Sequence, residues 1–125
     1  MLVVGLLKKK SGLTDREFRD YYENNHVPLV LRTIPYIADY KRKYVVRDDA
    51  RSPVHGNAGE PSVAFDAIAE MRFATRADYE RMLADLGDPA IAAPLIEDEK
   101  RFLDRDGMVV SVMEETSSDI AGITN

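Results

Sequence analysis

The chain contains no cysteine. That removes disulfides, thiolate nucleophiles and cysteine-ligated zinc or iron–sulfur centres, and leaves the redox compartment open. Histidine is nearly as scarce. His26 and His55 form no HxxxH or HExxH pair, so a metal site built on histidine is not expected. An excess of positive charge is also missing: the formal net charge is −5, and no basic run is interleaved with aromatics, which argues against a nucleic-acid partner. Lys8, Lys9 and Lys10 read simply as a strand end. No glycine-rich phosphate loop and no GxSxG elbow occurs. No apolar run reaches the roughly 18 residues of a membrane span, and Met1 to Leu7 is too short for a signal peptide and lacks a basic start. The expectation is a soluble, cytoplasmic protein with no membrane partner.

What is present suits one ordinary domain. The chain has 125 residues, 45% apolar and 31% charged, enough for a real core and too few for two. Its most informative stretch is Thr14 to Leu31, TDREFRDYYENNHVPLVL. Thr14 and Glu17 form a capping box. On a helical projection Phe18, Tyr21, Tyr22, Asn25, His26 and Leu29 fall within about 140° of one another, opposite a charged face. A buried face that carries polar atoms is a candidate site. Pro28 removes the amide partner of the Asn24 carbonyl, so a kink is expected near Asn25 and His26.

The remaining elements follow from alternation and punctuation. Met1 to Lys9 reads as a strand with both faces apolar, so both should be covered. Tyr36 to Arg47 alternates as a second strand, with Tyr36, Tyr40 and Tyr44 on one side. Asp48 to Pro61 is a loop holding His55, read as a surface histidine. Ser62 to Phe73 is a third strand with Val63, Phe65, Ala67, Ala69, Met71 and Phe73 on its apolar face. Thr75 caps a helix with Tyr79, Met82, Leu83 and Leu86 as its stripe. Asp88 and Pro89 open another, running to about Leu103, in which Ile91, Leu95, Asp98, Glu99, Phe102 and Leu103 recur at helical spacing. Asp104 to Gly107 turns the chain, Met108 to Glu115 is the last strand, and residues 116–125 form a tail after the 1–115 domain. Asp98 and Arg101 are read as fixing the turn before the last strand.

This order predicts an α+β fold: ferredoxin-like βαββαβ, with a four-stranded antiparallel sheet and helices on one face. The other face would be a large apolar patch, which a second copy would cover. A homodimer forming a dimeric α+β barrel is the expectation.

KKKSGLTDREFRDYYENNHVPLV, then FDAIAEMRF, then DEKRFLDRD together resemble the EthD domain family of dimeric α+β-barrel proteins, over nearly all of Met1 to Glu115. The resemblance implies the same fold and dimer. It also implies a cavity between sheet and helices, and kinship with cofactor-free monooxygenases and cyclases of aromatic polyketides, with fungal tailoring enzymes, and with an accessory protein of ether degradation.

On that footing the expected chemistry is proton transfer without a cofactor on a small aromatic or polyketide-like substrate: dehydration, decarboxylation or cyclisation. Cofactor-free oxygenation, or non-catalytic binding, are the alternatives. His26 is the candidate acid/base, because an unperturbed imidazole titrates near neutrality. Tyr22 is a donor to substrate or to His26, and Asn25 a carbonyl or enolate ligand. Asp66 is a carboxylate that would fix the tautomer of His26 and favour its charged form. Phe18, Tyr21, Leu29, Tyr40 and Phe65 are expected to shape the substrate pocket, with Met71 beside them. Each has a structural alternative: core packing for Tyr22, a kink cap for Asn25, a sheet-face residue for Tyr40, and a surface or dimer-contact charge for Asp66.

Overall fold

The computed structural model describes residues 1–50 and 63–123, so His55 and most of the long loop lie outside the described residues. Strand β1 (Leu2–Leu7) leads to helix α1 (Asp15–Tyr21), a π-helical turn (Tyr22–His26) and helix α2 (Val27–Thr33). Strand β2 (Asp39–Tyr44) and strand β3 (Ala67–Arg72) follow. Helices α3 (Arg76–Leu86) and α4 (Pro89–Phe102) precede strand β4 (Val109–Met113) and a short terminal helix α5 (Ile120–Ile123). The sheet order is β2-β3-β1-β4 with every pairing antiparallel, which is the ferredoxin-like arrangement.

Local chemistry explains most boundaries. At the start of α1 the Thr14 hydroxyl accepts from the Glu17 amide at 3.1 Å, while the Glu17 carboxylate accepts from the Thr14 amide at 3.0 Å. Thr75 and Asp88 cap α3 and α4 with their own side chains. The kink expected from Pro28 takes the form of the π turn, in which the Val27 amide reaches back to the Tyr22 carbonyl. β2 and β3 are shorter than the alternation suggests. The ladder between them runs from Asp39↔Arg72 to Tyr44↔Ala67. Before it, Tyr36 has left the sheet: its hydroxyl donates to Asp85 on α3 at 2.7 Å, and its ring packs beside Phe73.

The helices cover one face of the sheet. Leu7, Phe18, Tyr22, Val27, Ala67, Ala69, Phe102 and Leu103 form one packed cluster. Val3, Val30, Ile34, Phe73, Met82 and Leu95 form a second. Between them the paired positions Gly5 and Ala69 present almost no side chain, and the space they leave becomes a cavity. On the opposite face Leu2, Val4, Leu6, Ile68, Val109 and Met113 alternate outward, and Val109 and Met113 are exposed. Among the described residues no helix is long and apolar enough to cross a membrane.

Candidate functional site

The cavity measures about 320 Å³ and is walled by β1, β2, β3, α2, α3, α4, the π turn and the start of β4. Its wall is apolar (Val3, Val30, Ile34, Met71, Leu95 and Met108 among others) except for His26, Tyr22, Tyr40, Glu99 and Arg105.

His26 is 5% exposed and Asp98 6%, and the imidazole Nδ1 lies 2.8 Å from Asp98 Oδ2. Tyr21 donates to the other carboxylate oxygen at 2.6 Å. Burial pushes the Asp98 carboxyl up, but the hydrogen bonds from Tyr21 and His26 outweigh it and hold the group below its ordinary range. Asp98 is therefore ionised at neutral pH and can only accept, so Nδ1 must carry a hydrogen. With Nδ1 so held, Nε2 is the ring nitrogen left to exchange a proton with the cavity. Phe102 fixes the ring from the side, its centroid 4.9 Å away, with Tyr22 at 5.8 Å edge to face.

Beside the histidine the Tyr22 and Tyr40 hydroxyls lie 2.6 Å apart. Burial pushes Tyr40 up to about 12 and raises Tyr22 well above the usual phenol range, so both stay protonated. One hydroxyl donates to the other, and the second hydrogen is left over for an oxygen in the cavity. Arg42 lies over the Tyr40 ring at 4.8 Å and forks onto Glu23 at 2.9 and 2.7 Å, tying β2 to the π turn. Tyr44 also donates to Glu23.

The structure brings four of the residues singled out for the site in the sequence, His26, Tyr22, Tyr40 and Met71, to the cavity wall. Tyr21 stands behind Asp98, and Phe18 is buried against Phe102, Tyr22 and Tyr44. Leu29 packs at the margin of the second cluster, and Phe65 precedes β3, partly buried; neither lines the cavity. Asn25 is exposed, because the widened turn rotates it away from the face that holds Tyr22 and His26. Asp66 does not reach His26: it accepts from the Lys9 amide at 2.7 Å and from Arg47, at the far end of β1.

Asp98 occupies the position imagined for Asp66, and it does not fix the turn. Asp104 does that, accepting from the Gly107 amide at 3.3 Å. Arg101 is exposed and only approaches Asp98 and Tyr21, at 3.4 and 3.5 Å. The signal for Asp98 was its place in the buried stripe of α4, between Leu95 and Phe102. Glu99 and Arg105 were missed as site residues. Arg105 Nε lies 3.4 Å from Glu99 Oε1, and the Glu99 side chain is 18% exposed.

The EthD domain model matches residues 10–106. An EthD family protein from Bacillus halodurans has the same fold, with 20% identity, a TM-score of 0.59 and coverage of 92% of this chain and 97% of that one. An EthD-like protein from Ralstonia eutropha gives 17% identity, 0.56, 92% and 95%. A hydroxynitrile lyase from Passiflora edulis gives 16% identity, 0.50, 94% and 95%. At these identities the likeness is one of fold. No curated protein sequence matches this chain.

Proposed function

This chain belongs to the EthD domain family, and on that premise we propose that it is an acid/base enzyme of lyase type, a dehydratase, decarboxylase or cyclase of an aromatic, polyketide-like small molecule. One observation carries the reading. A buried imidazole at the cavity wall has Nδ1 held by an ionised carboxylate and Nε2 free, next to a pair of phenolic hydroxyls. The name of the Passiflora edulis protein places a lyase on the same fold, which supports the reaction class.

The chemistry follows from the charges. A C–H next to a carbonyl whose oxygen accepts a hydrogen bond as it becomes an enolate is within reach of an imidazole base, so Nε2 takes the proton and His26 becomes a cation beside the Asp98 anion. The enolate oxygen accepts from the Tyr22–Tyr40 pair, inside walls that exclude water and so strengthen that bond. In a dehydration the β-hydroxyl then leaves. A cavity of about 320 Å³ sits at the lower end of the range for small-molecule sites and suits a bicyclic or tricyclic aromatic. Protons move through side chains, with no cofactor in the scheme. The active form is a homodimer, in which Val4, Leu6, Ile68, Val109 and Met113 meet their copies across the uncovered sheet face.

The test uses 3-hydroxy-1-tetralone, a bicyclic β-hydroxy ketone whose dehydration yields fluorescent 1-naphthol. The wild-type chain should accelerate it, and His26→Ala should fold normally and lose about 10²–10⁴ of the rate. A His26→Ala protein with full turnover overturns the reading. Stoichiometric oxygen uptake would replace it with a cofactor-free monooxygenase.

A further inference from the structure

We propose that Glu99 is a second catalytic residue, the general acid that gives a proton to the leaving oxygen while His26 removes one from carbon. The inference rests on the acid/base reading above and completes its proton balance. Dehydration breaks a C–O bond, and hydroxide is too basic to depart unaided. Once Nε2 has taken the carbon proton, a separate group must deliver one to the hydroxyl so that water leaves.

Glu99 is placed for that task. Asp98 and Glu99 are neighbours on α4, turned about 100° apart by the helix. Asp98 therefore backs the imidazole while Glu99 faces the cavity that His26 lines. The only ion pair described for its carboxyl is the 3.4 Å contact between Oε1 and Arg105 at the turn before β4. The charged and titratable groups that act on it are His26, Arg105, Asp98 and, from β2, Tyr40. Burial is the largest influence and pushes the carboxyl up, against the lowering effect of His26 and Arg105. Such a carboxyl holds its proton at higher pH than an exposed one, and it remains a much stronger acid than the buried phenols Tyr22 and Tyr40. Among the described residues no other carboxyl lines this cavity.

The experiment compares two leaving groups. With 3-hydroxy-1-tetralone, Glu99→Gln should lower kcat by about 10²-fold with little change in KM. With 3-acetoxy-1-tetralone, whose acetate leaves without being protonated, the same variant should recover to within about threefold of wild type, because the acid is no longer needed. Thermal unfolding of the variant checks that it folds. An equal loss with both probes would make Glu99 a structural or positioning residue and overturn the inference, and full activity with the hydroxyl probe would do so too. His26→Ala separates the two readings. If it loses turnover while Glu99→Gln does not, only the role of Glu99 falls. If His26→Ala retains full rate, or if the wild type converts neither probe, the acid/base reading falls and this inference with it.

Discussion

Replacing Asp98 by Asn keeps the size of the side chain and removes its charge. Asp98 accepts from Tyr21 at 2.6 Å on one oxygen and faces His26 Nδ1 at 2.8 Å on the other. The Asn oxygen should stay on the Tyr21 side, because Arg101 also points a donor there at 3.4 Å and would repel an NH₂ group. The amide NH₂ then faces Nδ1. Two donors cannot share one hydrogen bond, so the imidazole must move its hydrogen to Nε2 and lose its basic atom toward the cavity. The rate should fall by about 10²–10⁴, the usual contribution of such a base. Stability should fall as well. Two charge-assisted hydrogen bonds become neutral at roughly 1 kcal/mol each, about 2 kcal/mol together, or roughly 6–12 °C in Tm for a chain of this size. The pH dependence has a definite sign. Asp98 is held below its ordinary value in the fold, so its contribution is present above about pH 4 and disappears as pH falls through the depressed pKa. Asp98→Asn should lack that acid limb. Long-range ¹H–¹⁵N NMR of the imidazole reads the tautomer directly. A wild-type His26 with its hydrogen on Nε2, or an Asp98→Asn protein with wild-type kcat, would refute the reasoning.

Tyr22→Phe and Tyr40→Phe should each cost about 1 kcal/mol in urea unfolding, while the double variant costs about 1 kcal/mol less than their sum, since both act through one hydrogen bond; strict additivity would mean that the hydroxyls do not pair in solution. Gly5→Val should fill the cavity: its Cβ would meet Leu7 at 3.4 Å and Ala69 at 3.9 Å, ordinary contacts, so stability should change by less than about 1 kcal/mol while calorimetry shows 1-naphthol binding weakened at least about tenfold. Unchanged binding would put the ligand elsewhere. Leu6→Lys places a charge in the middle of the uncovered sheet face and should turn a dimer into a folded monomer by analytical ultracentrifugation, whereas a wild-type chain that sediments as a monomer would refute the barrel.

The fold was legible because its signals repeat at several levels. The Thr14–Glu17 box, the Asp88–Pro89 start and the doubly apolar run of β1 each say the same thing locally that the sheet order says globally. Strand ends were less legible, since Tyr36 alternates correctly with Tyr40 yet leaves the sheet for Asp85, a partner 49 residues away. The site divides along the same line. His26 and Tyr22 sit on one short segment, and their shared face follows from local spacing. The carboxylate behind His26 comes from α4, 72 residues on, and nothing local distinguishes Asp98 from Asp66 as its partner. Both are buried acids. Asp66 meets a backbone amide and Arg47, and only the packing of α4 across the π turn settles which one meets the imidazole.

The π turn connects fold and site. Phe18, Tyr22, His26, Val30 and Ile34 recur at every fourth residue, and all five are buried. In a regular α-helix each such step drifts by about 40°, so by Ile34 the stripe would have turned by about 160° and left the core. One turn that takes in an extra residue recovers about 100° of this, and the remainder fits within an ordinary apolar face. The four-residue spacing therefore demands a widened turn somewhere along the helix. Pro28 sets its place, because the Asn24 carbonyl has no amide to accept from and the α pattern is already broken there. A substitution that restored regular helix at this point would have to choose between burying Phe18 and Tyr22 and burying Val30 and Ile34. In either case the imidazole would rotate away from Asp98, and so the geometry of the base depends on the same turn that keeps both ends of the helix in the core.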